Sequence, residues 1–188
     1  MIGTDFDSLN GQWSTQGPIL CLIGRLHARP EMPVDEILQE YFAGFGPAAL
    51  QVKAYWEYWE NYTREHTDIL QDGTAHWTTY PKDAFVRFPP ESFEPASDLL
   101  SAAERAAAAD PIAAARVEFL RIGLDHARLT VETCLAVAEA AEDEAARAAA
   151  IAKLRAFRQA IKEPFAVNVS HSFHSCEARE KAVGWWTE

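Results

Sequence analysis

Apolar residues recur at helical spacing in three segments of the first third of the chain. The segments are 18–27, 34–45 and 47–66, and each repeats its apolar positions every three or four residues. This period places the apolar side chains of a helix on one face. The pattern predicts three amphipathic helices, the first opening at Pro18, which together form an aromatic helical layer over residues 18–66.

The helical period disappears between residues 67 and 94. This segment combines one Gly and three Pro, which interrupt regular structure, with several aromatic residues. A long stretch without a period in a compact domain is usually a packed loop. We therefore expect a long, irregular, aromatic-rich loop that connects the two helical parts of the chain over 67–94.

Strong helix formers dominate from residue 95 to residue 163. Ala, Glu and Arg are abundant there, and Asp110 followed by Pro111 matches the start of a helix. In the last helix of this segment, the period places Arg155 near the apolar face. We predict a mainly α protein with an antiparallel helical bundle over 95–163 and an irregular tail over 164–188.

The charge of the chain excludes several classes of partner. It has 28 acidic and 17 basic residues, and its net charge is -11. Binding to nucleic acid or to an anionic membrane depends on concentrated Lys and Arg, so we expect neither partner. No apolar run approaches the roughly 20 residues that span a bilayer, and the first residues lack the features of a secretory signal. We expect a soluble, cytoplasmic protein.

The three cysteines stand at wide spacing, and their number is odd. This arrangement predicts no disulfide framework. Cys21 and Cys134 fall within apolar helical patterns, where a cysteine usually serves as a small core residue. Nothing in the sequence indicates a cofactor.

The first residues hold the side chains of a possible carbohydrate site. Asp5, Asp7, Trp13 and Gln16 combine carboxylates, an indole and an amide. Sugars are bound by paired hydrogen bonds at their hydroxyls and by a flat apolar surface under the ring. The alternative is a solvent-exposed segment without a ligand, in which the Asp residues form turns and helix caps. The spacing of the residues alone favours this alternative.

The tail contains four residues of the types that bind zinc, His171, His174, Cys176 and Glu177. Two histidines three residues apart fit the spacing of zinc ligands, but no second pair lies at a recognisable spacing elsewhere. We therefore favour a packed or exposed tail and predict no metal site.

An aromatic stripe, Tyr55, Trp56 and Trp59, lies along the third predicted helix. Such a stripe can form a platform for a sugar or a face for self-association. At helical spacing, however, aromatic residues more often belong to the core. We favour the core interpretation.

Charged residues on the same helix are better explained by ion pairing than by catalysis. Glu57 and Glu60 stand three apart, and Lys53 and Arg64 lie at helical spacing from them. This pattern is typical of a solvated, ion-paired face. His126 follows an Asp on another helix, and no nucleophile can be paired with it, so we expect it at the surface or at an interface.

Several motifs occur in order along the chain. "GQW" and "QGP" precede the first helix, "VDEILQEYFAGFGPAA" opens the second part, an aromatic helix contains "YWE", and a later helix contains Arg-Val-Glu-x-x-Arg-x-x-Leu. Together they resemble the junction between the last barrel strand and the C-terminal helices in bacterial glycoside-hydrolase-like proteins of unknown function. Those proteins are distant relatives of α-glucuronidases and hexosaminidases.

This resemblance implies a role for residues 1–17. They would be the last strand and the rim loop of a TIM barrel, with Asp5, Asp7, Trp13 and Gln16 at the rim of a sugar site. In those proteins the barrel carries the catalytic acid and base, and this sequence is too short to contain such a barrel. The resemblance therefore implies no catalytic residue in this chain.

Two functions follow as hypotheses. The first is the C-terminal helical portion of a glycoside-hydrolase-like protein, which supports a barrel, contributes rim residues to a carbohydrate site and does not hydrolyse sugars alone. The alternative is a free-standing helical module that self-associates through the aromatic stripe. The expected partners are a carbohydrate, a barrel domain or a second copy of the chain.

Overall fold

The computed structural model describes residues 13–70, 80–140, 143–161 and 169–185. These ranges contain nine α-helices and two short 3₁₀ segments, and none of the residues within them forms a strand. The helices are α1 (Trp13–Ala28), α2 (Val34–Ala43), α3 (Ala49–Glu65), α4 (Thr67–Leu70), α5 (Tyr80–Arg87), α6 (Phe93–Ala107), α7 (Pro111–Glu139), α8 (Glu144–Ala160) and α9 (Val169–Ala182). The prediction of a mainly helical protein is confirmed.

The longest helix, α7, is the element against which most of the others pack. It has 29 residues, so it is about 43 Å long, and it contacts α1, α5, α6 and α8. The Asp110 carboxylate accepts hydrogen bonds from the backbone N–H groups of Ile112 and Ala113 at 3.0 and 3.1 Å. Pro111 occupies the first helical position, where no backbone donor is needed. The helix start predicted at Asp110 and Pro111 is confirmed.

The larger hydrophobic core, which we call the first core, lies between α3, α6 and α7. Four of its members on α6 and α7 are alanines no more than 2% exposed, and such small side chains let helices approach closely. The other buried members are Phe45, Ala48, Val52, Tyr55, Phe93, Leu100, Val117, Leu120, Leu124 and Val131. The aromatic residues of α3 therefore fill the space beside the alanine-rich helices.

A smaller core, which we call the second core, lies at the other end of α7. It brings together Leu129 and Cys134 of α7, Ile151 and Leu154 of α8, and Trp185, which follows α9. Since α7 contributes to both cores, it links the two ends of the molecule.

The first helix begins earlier than the sequence predicts. Trp13–Gly17, expected as part of a rim loop, is helical, and Pro18 lies inside α1 rather than at its start. A proline there removes the backbone hydrogen bond to Ser14. Packing offsets this loss, because the first turn lies so close to α7 that a Cβ added at Gly123 would be 2.6 Å from the Ser14 Cβ.

Much of the described part of the predicted loop is also helical. It contains α4 and α5, and α6 begins at Phe93 rather than at Pro95. The prolines stand near helix starts, since Pro81 is the second residue of α5 and Pro90 the first of a 3₁₀ segment. The first turn of a helix tolerates proline because its N–H groups have no partner within the helix. An irregular structure over 67–94 is therefore wrong for these residues.

The tail differs from the irregular segment that we expected. Residues 169–182 form α9, and among its described side chains, 174–182, the buried one is the carboxylate of Glu180. A helix that buries a charge does not show the usual apolar period. For the same reason the sequence pattern predicts the wrong buried face of α8. Arg158 is buried there, whereas Arg155, which the pattern places near the apolar face, is exposed.

Among the helices of the described ranges, none is both long enough and apolar enough to cross a bilayer.

Candidate functional site

The structure describes two of the four predicted carbohydrate residues. Asp5 and Asp7 lie outside the described residues. Trp13 opens α1, and Gln16 lies half-buried in the first turn of that helix. The carbohydrate site built from these four residues stays a prediction.

The aromatic stripe of α3 belongs to the first core. Tyr55 is 3% exposed, and Trp56 and Trp59 are half-buried against the core residues. The ring of Trp59 meets that of Phe93 edge to face, with centroids 5.4 Å apart. The stripe thus packs against the core as its spacing predicts, and self-association through it stays a prediction.

The charged face of α3 is confirmed as well. Lys53 pairs with Glu57, and Arg64 pairs with Glu60 at 2.7 Å between Nη2 and Oε1. All four side chains are largely exposed. They form solvated pairs of the kind that contributes little to stability.

The candidate zinc ligands of the tail lie on α9. His174 is exposed, and Cys176 and Glu177 are half-buried. The side chain of His171 lies outside what the structure describes. Within the described residues, no three potential ligands converge on one point. Burial raises the pKa of the Cys176 thiol, which keeps it protonated and poorly suited to bind a metal.

A buried polar cluster, which we call the polar cluster, holds α9 against the rest of the protein. Arg158 of α8 and Glu180 of α9 form a forked ion pair with distances of 2.7 and 2.6 Å. Their side chains are 2% and 0% exposed. The Tyr80 hydroxyl of α5 donates to Glu180 Oε1 at 2.8 Å. His126 of α7 completes the cluster, because its Nε2 accepts from Arg158 Nε at 3.1 Å.

The protonation states in the polar cluster follow from these contacts. Burial lowers the pKa of Arg158, but the hydrogen bonds and charge of Glu180 more than offset this and leave the pKa raised. Burial, with a smaller effect from Arg158, lowers the pKa of His126 to about 3. His126 is therefore neutral and accepts through Nε2. His126 is half-buried where α7 meets α8, so it lies between helices rather than on an open surface.

The polar cluster is built for structure rather than for chemistry on a substrate. Both Glu180 oxygens are engaged by the guanidinium, and the Tyr80 hydroxyl is protonated because burial raises its pKa. With Arg158 and Glu180 closed to solvent, no substrate reaches these groups. Sequence reasoning missed the pair because its members lie 22 residues apart on different helices.

A different feature is open to solvent, an apolar groove between α1, α2 and α7. Its volume is about 750 Å³. Most of its surface is apolar, and the polar side-chain atoms belong to Cys21, Tyr41 and Arg116. The residues that line it are Gly17, Leu20, Cys21, Tyr41, Phe45, Pro111, Ile112, Ala115, Arg116, Phe119 and Leu120. We refer to it below as the groove.

One end of the groove is shaped by a close contact between α1 and α2. A Cβ added at Gly17 would lie 3.1 Å from Tyr41 Cζ, so only glycine lets the Tyr41 ring sit against α1. Burial raises the pKa of Tyr41, so the hydroxyl is protonated and can donate to a ligand.

Arg116 provides the charge of the groove. Its Nη1 donates to the carbonyl of Gly44, just beyond the C-terminus of α2. No carboxylate of the described residues lies within ion-pair distance of this guanidinium. The groove thus combines an apolar wall with one hydroxyl donor and one cation.

Sequence reasoning did not find the groove. The periodic pattern predicts which face of each helix is apolar, but it does not predict the spaces left between packed helices. The nearest signal is Gly17, the glycine of the "QGP" motif.

No protein-family model, no curated protein and no solved structure matches the chain. The resemblance to glycoside-hydrolase-like proteins therefore stays a prediction. A functional conclusion has to come from the geometry of the groove and from its chemistry.

Proposed function

We propose that the protein binds a small, largely apolar molecule in the groove. The observation that supports this proposal is an open volume of about 750 Å³ with mostly apolar walls. Sites for small ligands are concave and mostly apolar, contain a few oriented polar groups and have volumes of roughly 300–1,000 Å³. The volume, the mostly apolar walls and the few polar groups of the groove fit that description.

The driving force for binding would be the removal of apolar surface from water. Leu20 of α1 and Ile112 and Phe119 of α7 offer accessible aliphatic and aromatic surface on two sides of the groove. Each Å² of apolar surface that becomes buried contributes about 25 cal/mol. The Tyr41 hydroxyl adds a donor that can orient an acceptor atom of the ligand.

Filling the groove should abolish binding. Ala115 lines the groove and is exposed, so Ala115→Phe places a ring in the ligand volume without entering the core. We expect the fluorescence enhancement of a neutral apolar dye, N-phenyl-1-naphthylamine, to be saturable with the original protein. For the variant, the dissociation constant should rise by about tenfold or more.

The matched control is Ala152→Phe, at an exposed position of α8 that does not line the groove. It adds the same ring to a helix surface and should leave dye binding unchanged. Equal binding by both variants, or an unsaturable signal from the original protein, would contradict the proposal.

The role predicted from the resemblance is a separate proposal. The chain would support a barrel through its helices, with α6, α7 and α8 as an antiparallel bundle, and would contribute Asp5, Asp7, Trp13 and Gln16 to a sugar site. The groove is not proposed as that site. Sugar hydroxyls need paired hydrogen-bonding groups, whereas its walls are mostly apolar.

A further inference from the structure

We infer that the ligand of the groove is an amphiphile with a carboxylate at one end, and that Arg116 binds this carboxylate. The inference rests on the proposed function and deepens it by naming the ligand class. An unbranched aliphatic monocarboxylate is the simplest molecule that fits both the apolar wall and the single cation.

Charge complementarity is the first argument. Among the described residues that line the groove, Arg116 has the one charged side chain. The chain as a whole has a net charge of -11, so its overall field does not attract anions and the local charge of Arg116 has to supply the attraction. A carboxylate bound there would be drawn to a specific point rather than to a generally basic surface.

The geometry of Arg116 is the second argument. The Nη1 bond to the Gly44 carbonyl holds the guanidinium at the edge of the groove. A guanidinium has five N–H donors, so several donors remain after this bond. A carboxylate is the anion whose two oxygens match the fork of a guanidinium.

The neighbouring carboxylate does not neutralise this cation. Asp110 is the acidic residue at the start of α7, and its Oδ1 already accepts from the backbone N–H groups of Ile112 and Ala113. It caps the helix, and its carboxyl group forms no ion pair with Arg116. The apolar chain of a ligand can therefore lie along Ile112 and Phe119 while its carboxylate pairs with Arg116.

The test compares two ligands that differ only in their polar ends. Dodecanoate and dodecanol are titrated to displace N-phenyl-1-naphthylamine from the original protein, from Arg116→Gln and from Arg105→Gln. Arg105 is exposed on α6 and away from the groove, so its replacement changes the net charge equally and serves as the control.

We expect the original protein and Arg105→Gln to bind dodecanoate about tenfold more tightly than dodecanol, the effect of a charged hydrogen bond. In Arg116→Gln this preference should disappear, while binding of dodecanol stays within twofold. Equal binding of the two ligands by the original protein would overturn the carboxylate inference and leave an apolar groove. A different result would contradict the proposed function, and this inference with it. In that result neither ligand displaces the dye, and the dye binds Ala115→Phe as tightly as it binds the original protein.

Discussion

Two residues, Arg158 and Glu180, show how a buried charge shapes this protein. Removing a charge from water is expensive, and the attraction within a pair offsets that cost only when the geometry is good and the other polar atoms are satisfied. Here two short N–H···O bonds join the pair, with further bonds from Tyr80 and to His126. The pair is therefore well satisfied, and breaking it on one side should cost far more than the pair contributes to folding.

Replacing Glu180 by Gln tests this expectation. The variant keeps the shape of the side chain but leaves the Arg158 charge buried without a counter-charge. We expect the free energy of unfolding, measured with urea, to fall by about 3–5 kcal/mol.

The control is Glu60→Gln, which breaks the exposed pair with Arg64. Because water solvates both partners there, we expect a loss below about 1 kcal/mol. A loss in Glu180→Gln no greater than in this control would show that the buried charge does not depend on its partner.

Sequence patterns succeeded at residues whose environment is local. Tyr55 is in the core as its helical spacing predicts, and Glu57 and Glu60 pair with residues one helical turn away. Arg158 and Glu180 could not be assigned in this way. Their pairing depends on how α9 docks on α8, and no period within either helix contains that information.

At the scale of elements, two helical glycines have opposite surroundings. Gly123 of α7 faces Ser14 of α1, and a Cβ there would lie 2.6 Å from the Ser14 Cβ. Gly24 of α1 faces open space, with no atom of a neighbouring group within 4 Å of an added Cβ. The first glycine therefore allows two helices to meet, whereas the second serves no visible packing purpose.

Substitution by alanine should therefore have opposite effects at these two sites. Alanine favours a helix over glycine by about 1 kcal/mol, so Gly24→Ala should raise the free energy of unfolding by about 0.5–1 kcal/mol. In Gly123→Ala the clash with Ser14 forces α1 away from α7, at a cost of about 1–3 kcal/mol that exceeds the helical gain. Thermal unfolding of both variants measures the difference, and a gain of stability in both would contradict the close contact.

The same contact explains why the start of α1 could not be predicted. Pro18 is a reasonable first residue for an isolated helix, and the sequence pattern favours that position. The additional turn, from Trp13, exists because Ser14 packs against α7, which is more than 100 residues later in the chain. Helix type could thus be predicted from the pattern, but this boundary depends on tertiary contact.

On the scale of the whole molecule, α7 joins two cores with different chemistry. Its N-terminal part lies among the aromatic and alanine side chains of the first core and also forms one wall of the groove. Its C-terminal part contributes Leu129 and Cys134 to the second core, beside the polar cluster. The groove could not be predicted, because its shape depends on the gap between three helices rather than on the pattern of any one of them.

A continuous helix shared by both cores should make the described part of the protein unfold as one unit. Leu100 is fully buried in the first core and Leu154 in the second. We expect Leu100→Ala and Leu154→Ala each to lower the free energy of unfolding by about 2–5 kcal/mol. In both variants the urea transition followed by circular dichroism should coincide with that followed by tryptophan fluorescence.

Leu50→Ala is the control, since Leu50 is 77% exposed and its loss should change stability by less than about 0.5 kcal/mol. Fluorescence and circular dichroism transitions that separate in Leu154→Ala would contradict the coupling, because the second core would then unfold while the helices of the first core remain.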